Sequence, residues 1–297
     1  MNSAIAVALA SSLVLASFAT GARADPTADT PSAPPPDKSV YNLFNPTPTA
    51  DLRAFCTDSP TKSNGPCTVD AGYWQIESDI YNVTYQNVGG VQTTTQLFTN
   101  PTLKLGVTNT IDLEVNMAPW EQVSVHDSRD GRTQSASGIG DLYLRAKFNI
   151  LGDDGGAVSV TLLPWVKAPT APQPVGNGAV EEGLLVPIAF SLPGNLQLTI
   201  DPEFDALADS VGPGRHLNVA SPISLSYPAT KTITVFAEVW GSVNYDPAGT
   251  VVQASADVAA AWIPAKFPTL QFDAGLNFGL NHATPAVQAY VGVSHRF

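Results

Sequence analysis

Polar and apolar side chains alternate with a period of two along most of the chain after Gly72. In residues 111–117 (IDLEVNM), polar residues separate Ile111, Leu113 and Val115, and residues 270–280 (LQFDAGLNFGL) repeat this order. Long windows lack the 3.6-residue period of an amphipathic helix. The pattern therefore predicts β-strands that each have one apolar and one polar face.

Turn residues separate the alternating segments, and we predict twelve strands. Their predicted ranges are 73–86, 92–107, 111–125, 139–151, 157–168, 180–192, 196–207, 215–227, 232–245, 251–263, 269–280 and 286–297. Short connections such as TNT and PGN alternate with longer ones such as HDSRDGRTQSASG. An even strand count with this alternation is typical of a membrane barrel, whose tilted strands need about 9–11 residues. We predict an all-β fold, a transmembrane antiparallel up-and-down β-barrel, with a soluble β-sandwich as the alternative.

Aromatic residues lie at one end of the predicted strands. If the short turns are periplasmic, the aromatic residues at periplasmic strand ends on the apolar face are Trp74, Phe148, Phe190, Tyr227, Trp262, Phe272 and Phe297. Such girdles mark the membrane interface. The last strand runs to the chain end, as a barrel requires when its last strand pairs with its first and leaves no edge. We expect Phe297 to serve as the signal for the barrel-assembly machinery.

Six prolines fall inside the predicted strands, which is unusual because a closed barrel has no edge strand to hold them. They are Pro101, Pro119, Pro164, Pro187, Pro202 and Pro222. All six lie toward the predicted extracellular half. We therefore expect bulged or ragged strands there.

The region before the barrel divides into two parts. Residues 1–24 have the apolar core and the Ala22-Arg23-Ala24 site of a secretory signal peptide. Residues 25–70 form a Pro-rich periplasmic segment, of which Tyr41–Pro66 could plug the barrel of residues 71–297. In an exported protein, Cys56 and Cys67 favour a disulfide over a metal site, which would need more ligands.

Charged residues make up 13% of the chain, about half the ~25% of soluble domains. The net charge of −12 argues against nucleic-acid binding, which requires a basic face. The acidic excess suits cations, or it serves solubility alone. We predict no cofactor and no metal.

Charged residues on the polar face are the candidate site residues, because this face lines the lumen. They are Glu77, Asp79, Lys104, Asp112, Glu114, Asp141, Arg145, Lys147, Asp201, Glu203 and Glu238, with Lys167, Glu181, Asp205, Asp257 and Asp273 on the same face. One interpretation is internal salt bridging, because buried charges must be paired. The other is an acidic constriction that favours cations. Both hold if the surplus acids line a pore.

Residues 68–85 (TVDAGYWQIESDIYNVTY) resemble the first barrel strand of the family named for the MetA pathway of phenol degradation. Residues 138–142 (GIGDL) and the last strand ending in Phe297 are also similar, and the resemblance covers about residues 39–297. Of an upstream family motif, Thr57, Asp58 and Pro60 are present, whereas Ser59 replaces the expected arginine. The resemblance implies an outer-membrane transporter that binds or passes small solutes, including aromatic or apolar ones.

We therefore predict a channel or transporter in the bacterial outer membrane, whose partners are lipid, the assembly machinery and a small-molecule solute. A structural or adhesive barrel without transport is the main alternative. A lipolytic outer-membrane enzyme is less favoured, because no nucleophile-elbow or H-E-x-x-H motif occurs. We expect each histidine to be solvated or interfacial.

Overall fold

The computed structural model describes residues 37–297, so the predicted signal peptide lies outside the described residues. Sixteen strand segments follow in chain order: β1 (Trp74–Val88), β2 (Val91–Thr108), β3 (Ile111–Asn116), β4 (Glu121–Asp127), β5 (Arg132–Gly138), β6 (Leu142–Leu151), β7 (Val158–Ala168), β8 (Glu181–Leu185), β9 (Ile188–Leu192), β10 (Leu196–Ile200), β11 (Glu203–Ala208), β12 (Arg215–Pro228), β13 (Ile233–Asn244), β14 (Val251–Trp262), β15 (Leu270–Gly279) and β16 (Val287–Arg296). None of the helices described is long and apolar enough to cross a bilayer.

The sixteen segments make twelve barrel strands, because β3/β4, β5/β6, β8/β9 and β10/β11 are each two parts of one strand. Neighbouring strands are antiparallel, and β16 pairs with β1 from Gln75↔Arg296 to Tyr85↔Val287. The backbone N–H of Phe297 donates to the carbonyl of Trp74 at 2.9 Å, which extends this pairing to the last residue. The predicted closed twelve-stranded barrel is confirmed.

The barrel is polar inside and apolar outside, the reverse of a soluble core. Along β15, Phe272 and Leu276 are 40% and 42% exposed, whereas Gln271 and Asp273 are only 4% and 7% exposed. Because side chains alternate across a strand, each strand directs its apolar residues to the outer surface. This arrangement suits a bilayer, whose hydrocarbon accepts no unpaired backbone group and therefore favours a closed barrel.

The predicted aromatic residues of the periplasmic strand ends lie on the outer face, while Phe98, Phe204 and Phe278 are exposed farther along their strands. Trp262 and Phe272, on adjacent strands, have ring centres 5.7 Å apart. The His295 and Phe297 rings meet edge to face at 4.5 Å. These rings form the interfacial girdle of the barrel.

The prolines interrupt only some of the strands that contain them. Pro119, Pro187 and Pro202 fall in the gaps of divided strands, whereas the other three lie within β2, β7 and β12. Proline carbonyl groups still accept hydrogen bonds at these gaps. Pro187 accepts from the backbone N–H of Thr161, and Pro222, on β12 opposite the β10–β11 gap, accepts from the backbone N–H of Asp201. The predicted irregularity therefore occurs, but a continuous neighbouring strand supports each gap.

The predicted loop of residues 126–138 is instead a β-hairpin. β4 and β5 pair from Glu121↔Gly138 to Asp127↔Arg132, with the turn between them, and His126 bonds Thr133 within the hairpin. The predicted strand that began at residue 139 therefore begins at Arg132. Most of β4 lies within the predicted strand 111–125, with Val123 and Val125 on one face, whereas β5 has one apolar residue, Ala136, and so shows no alternation by which to recognise it.

Candidate functional site

The disulfide loop Cys56–Cys67, hereafter the plug, lies inside the barrel. The predicted disulfide between these cysteines is confirmed. Side chains from strands all around the wall contact the plug, including Lys147 on β6, Asp257 on β14 and Tyr290 on β16. The plug therefore occupies the cross-section of the lumen.

Three carboxylates of the wall hold the plug by its amide groups. Glu77 on β1, Asp201 after β10 and Glu238 on β13 each accept two hydrogen bonds at 2.9–3.1 Å. The donors are the backbones of Asp58 and Ser59 for Glu77, those of Lys62 and Ser63 for Glu238, and the backbone and side chain of Asn64 for Asp201. Hydrogen bonds to an ionised acceptor are about twice as strong as neutral ones, so these carboxylates fix the plug on several sides.

Asp58 is the charged centre of the plug. Its carboxylate accepts from the Lys147 ammonium at 2.7 and 2.8 Å and also pairs with Lys104. Glu77 pairs with Lys104 at 2.6 Å, and Glu114 lies 3.7 Å and 3.6 Å from Lys104 and Lys147. The lysines are 3% and 1% exposed in their side chains, so the plug completes a buried ion network.

The segments that flank the plug are anchored at the periplasmic mouth. Arg53 contacts Asp153 at 3.2 Å and Asp154 at 2.9 Å in the β6–β7 turn, and Arg296 on β16 contacts Asp70 at 3.1 Å. Burial raises the pKa of Asp154, but its contacts with Lys38, Asn109 and Arg53 lower that pKa below the usual range. A lowered folded-state pKa contributes stability that is lost only as the pH falls through it, so the Asp154 contact persists in mild acid, whereas burial raises the pKa of Asp153 and its contact with Arg53 is lost at a higher pH.

Gly106 on β2 allows the anchor to pack against the wall. A Cβ at this position would lie 2.1 Å from the Asp70 carbonyl oxygen and 2.5 Å from that of Val69. Gly106 also exchanges backbone hydrogen bonds with Gly72 and Tyr73, at 2.8 and 3.0 Å. Contacts this short exclude any side chain, since the obstructing atoms belong to the backbone.

Gly106→Val should therefore displace the anchor and expose the plug to protease. We expect trypsin to cleave after Arg53 or Lys62 at least about tenfold faster than in the wild type, because local opening governs cleavage. Gly241→Val is the matched control, since a Cβ there would meet only a backbone oxygen at 3.6 Å. Equal cleavage rates in the two variants would contradict the steric argument.

The structure divides the predicted site residues into two groups. Those against the plug or its anchor are Glu77, Lys104, Asp112, Glu114, Lys147, Asp201 and Glu238. Asp79, Arg145 and Glu203 line the cavity above the plug without contacting the plug, Glu77 and Lys104 line that cavity as well as contacting the plug, and Asp141 lines the next cavity outward. Glu114 is 1% exposed and lies on neither cavity, so the plug separates it from any solute above.

Two cavities occupy the lumen on the extracellular side of the plug. The inner cavity, of about 490 Å³, has Asp58–Lys62 and Asn64 as its floor. The outer cavity, of about 500 Å³, lies under the loop of residues 171–177. Four side chains border both cavities, namely Asn100, Asn116, Tyr143 and Arg145. The two cavities therefore adjoin each other at these side chains.

The sequence interpretation missed the residues of the plug and anchor that form these contacts. Arg53 and Lys62 are isolated charges in a Pro-rich region, where no periodic pattern marks them, and Asp58 was noted as part of the upstream family motif but not as a site residue. Trp165 was also missed as a lining residue. Trp165 lies two residues before Lys167 and therefore on the same polar face of β7, and this position was the signal that it lines the lumen.

Histidines offer no catalytic arrangement in the part of the chain described. His216 is 8% exposed and its Nδ1 lies 2.9 Å from Asp209, so the expectation that every histidine is solvated or interfacial is wrong for this residue. Across residues 37–297, no serine bonds a histidine and no group of three His, Cys, Asp or Glu side chains is arranged for a metal.

Comparison with solved structures identifies other outer-membrane barrels. An outer membrane channel from Pseudomonas putida F1 has a TM-score of 0.64 at 13% identity, covering 80% of this chain and 100% of that one. The NanC porin (TM-score 0.47, 11% identity, 74% and 98% coverage) and the CymD monoaromatic hydrocarbon channel (0.45, 9%, 75% and 88%) are more distant. No curated protein sequence matches the chain.

The barrel fold, with its apolar outer face and girdle, places the chain in the bacterial outer membrane. A family model matches residues 57–297, which include every barrel strand and all of the plug after Cys56. The chain belongs to the MetA-pathway of phenol degradation family.

Proposed function

We propose that the protein is a gated outer-membrane channel for small solutes, aromatic or apolar ones among them. The observation that carries this proposal is a lumen with two chambers on one side of a plug that is tied by hydrogen bonds and ion pairs. Passage then requires the plug to shift or leave. The family and its structural relatives support a role in transport.

Single-channel recording in a planar bilayer tests the proposal. We expect small, infrequent conductance steps from the wild-type protein, together with faster uptake of a neutral aromatic such as benzyl alcohol by intact cells that produce it. A folded barrel with neither conductance nor uptake would refute the channel and favour the structural alternative. The buried ion network that fills the periplasmic half supports that alternative.

We also infer that the protein is not an enzyme. The arrangement of histidines described above supports this inference, and so does the family. Lipase activity on short-chain esters that is absent from a His295→Ala variant would overturn it, because His295 lies on the outer face next to lipid.

Deleting Phe297 should impair assembly before it affects transport. Phe297 continues the β1–β16 seam and lies in the periplasmic girdle, where we propose that the assembly machinery recognises it. We expect the amount of folded barrel in the outer membrane to fall several-fold, measured by heat-modifiable migration on gels. Phe267→Ala, at another exposed periplasmic aromatic, is the control, and an equal loss in both variants would contradict a specific signal.

A further inference from the structure

Arg145 is the one uncompensated basic side chain on the two cavities of the described lumen. The other three have partners: Lys62 with Asp257, Lys104 with Glu77 and Asp58, and Lys167 with Glu181 and Asp141. Within residues 37–297, Arg145 has neither an ion pair nor a hydrogen bond, and its Nε is buried without a partner. A buried donor left unpaired is unfavourable, so this guanidinium is suited to an acceptor that comes from outside the chain.

Aromatic rings lie beside this guanidinium. The Arg145 Cζ is 5.6 Å from the centre of the Tyr143 ring. Tyr143 and Trp165 have ring centres 5.8 Å apart with their planes tilted by 49°. Arg145 is paired with Trp165 across β6 and β7, and Leu185 and Leu207 continue this wall of the inner cavity. The cation therefore borders an aromatic and aliphatic surface.

Gly183 on β8 sets the position of the Trp165 ring. A Cβ on Gly183 would lie 2.5 Å from the indole nitrogen of Trp165 and 2.2 Å from Oδ1 of Asp205. The indole N–H and this carboxylate oxygen thus lie side by side over the glycine. The polar edge of Trp165 is directed to the wall, which leaves its ring for contact with a solute.

We propose that the inner cavity binds small aromatic carboxylates. The carboxylate lies on the Arg145 guanidinium, whose fork of donors matches two oxygens, and the ring packs against Tyr143 and Trp165 in the tilted or offset geometry that aromatic pairs prefer. The volume of about 490 Å³ is ample, because about 150 Å³ holds benzene. This inference rests on the proposed function, in which solutes reach the cavity from outside.

Glu203 lines the same cavity and would oppose an anion. However, its oxygens are not among the buried atoms without a partner, whereas Nε of Arg145 is. Water can therefore solvate Glu203, whereas Nε of Arg145 has neither access to water nor a partner. Oδ1 of Asp205 is also buried without a partner, but it lies beside the indole nitrogen of Trp165 at Gly183. The two charges predict opposite ligand preferences, which makes the charge of the ligand decisive.

Isothermal titration calorimetry of the detergent-solubilised full-length barrel with benzoate, benzyl alcohol and benzylammonium tests the proposal. We expect benzoate to bind at least about tenfold more tightly than the other two, as a hydrogen bond to a charged group implies. Arg145→Gln should remove that preference, and Glu203→Gln should strengthen benzoate binding. Arg132→Gln, at a side chain 79% exposed in the β4–β5 hairpin, is the control for charge loss and should change nothing.

Tighter binding of benzylammonium, or benzoate binding that survives Arg145→Gln, would overturn the proposal. Heat-modifiable migration shows whether each variant is folded. Should Arg145→Gln fail to fold, Tyr143→Leu keeps the charge and should weaken benzoate several-fold while leaving acetate unchanged; equal effects on both would also overturn it. Benzoate binding with no uptake of any solute would count against the channel and leave the binding site standing.

Discussion

Replacing residues 57–66 of the plug with two glycines, and both flanking cysteines with serines, should raise the single-channel conductance at least about tenfold. Barrels of eight strands are filled by their own side chains, whereas those of sixteen or more enclose water, so an unplugged twelve-stranded lumen should conduct. The Cys56 and Cys67 Cα atoms are 6.6 Å apart, a distance that two glycines can span. The wall should remain intact because its strands pair with one another independently of the plug.

The control for this experiment changes only Cys56 and Cys67 to serine. The wall carboxylates still hold the plug in that variant, so its conductance should stay near the wild-type value. An unplugged variant with wild-type conductance, in a barrel that still migrates as folded, would show that the plug does not close the lumen.

Asp58→Ala should release the plug without removing it. The substitution removes the closest ionic partner of Lys147 and leaves that buried lysine only Glu114, at 3.6 Å, whereas Lys104 keeps Glu77; breaking a buried ion pair in this way costs about 3–5 kcal/mol. Once the plug leaves, water can solvate both lysines, so the cost falls on the plugged state. The open fraction in bilayer recordings should rise about 100-fold or more, because each 1.4 kcal/mol is a factor of ten.

Asp130→Ala is the matched control for this variant, since Asp130 is 46% exposed in the extracellular hairpin and pairs only with Arg132. Adding Lys147→Ala to Asp58→Ala should restore part of the closure by removing one stranded charge. If Asp58→Ala stays as closed as the control, the ion network does not hold the plug.

The barrel could be predicted from the sequence because each spanning strand follows one local rule. Alternation directs Phe272 outward and Gln271 inward without reference to any other strand. Strand β5 was missed because Ala136 is its one apolar residue, so alternation carries no signal there.

The arrangement of the lumen could be predicted only in part. Inward-facing charges followed from alternation, but their partners did not, because Glu77, Glu238 and Asp201 bond backbone amides of the plug. A backbone amide is present at almost every residue, so no residue type in the sequence indicates which amides the wall carboxylates will bind. The exposure of Arg145 to the cavity likewise depends on where the plug ends.

The pairing of β1 with β16 bears on when the plug is fixed during assembly of the barrel. The plug directly precedes β1, and its two cysteines are separated by only 11 positions, so this ring can form before any barrel strand. Arg296, on the final strand, binds both Asp70 and the carbonyl of Arg53 on either side of the ring. Closure of the wall at β16 therefore also fixes both flanks of the ring, which couples the seating of the plug to the closure of the barrel.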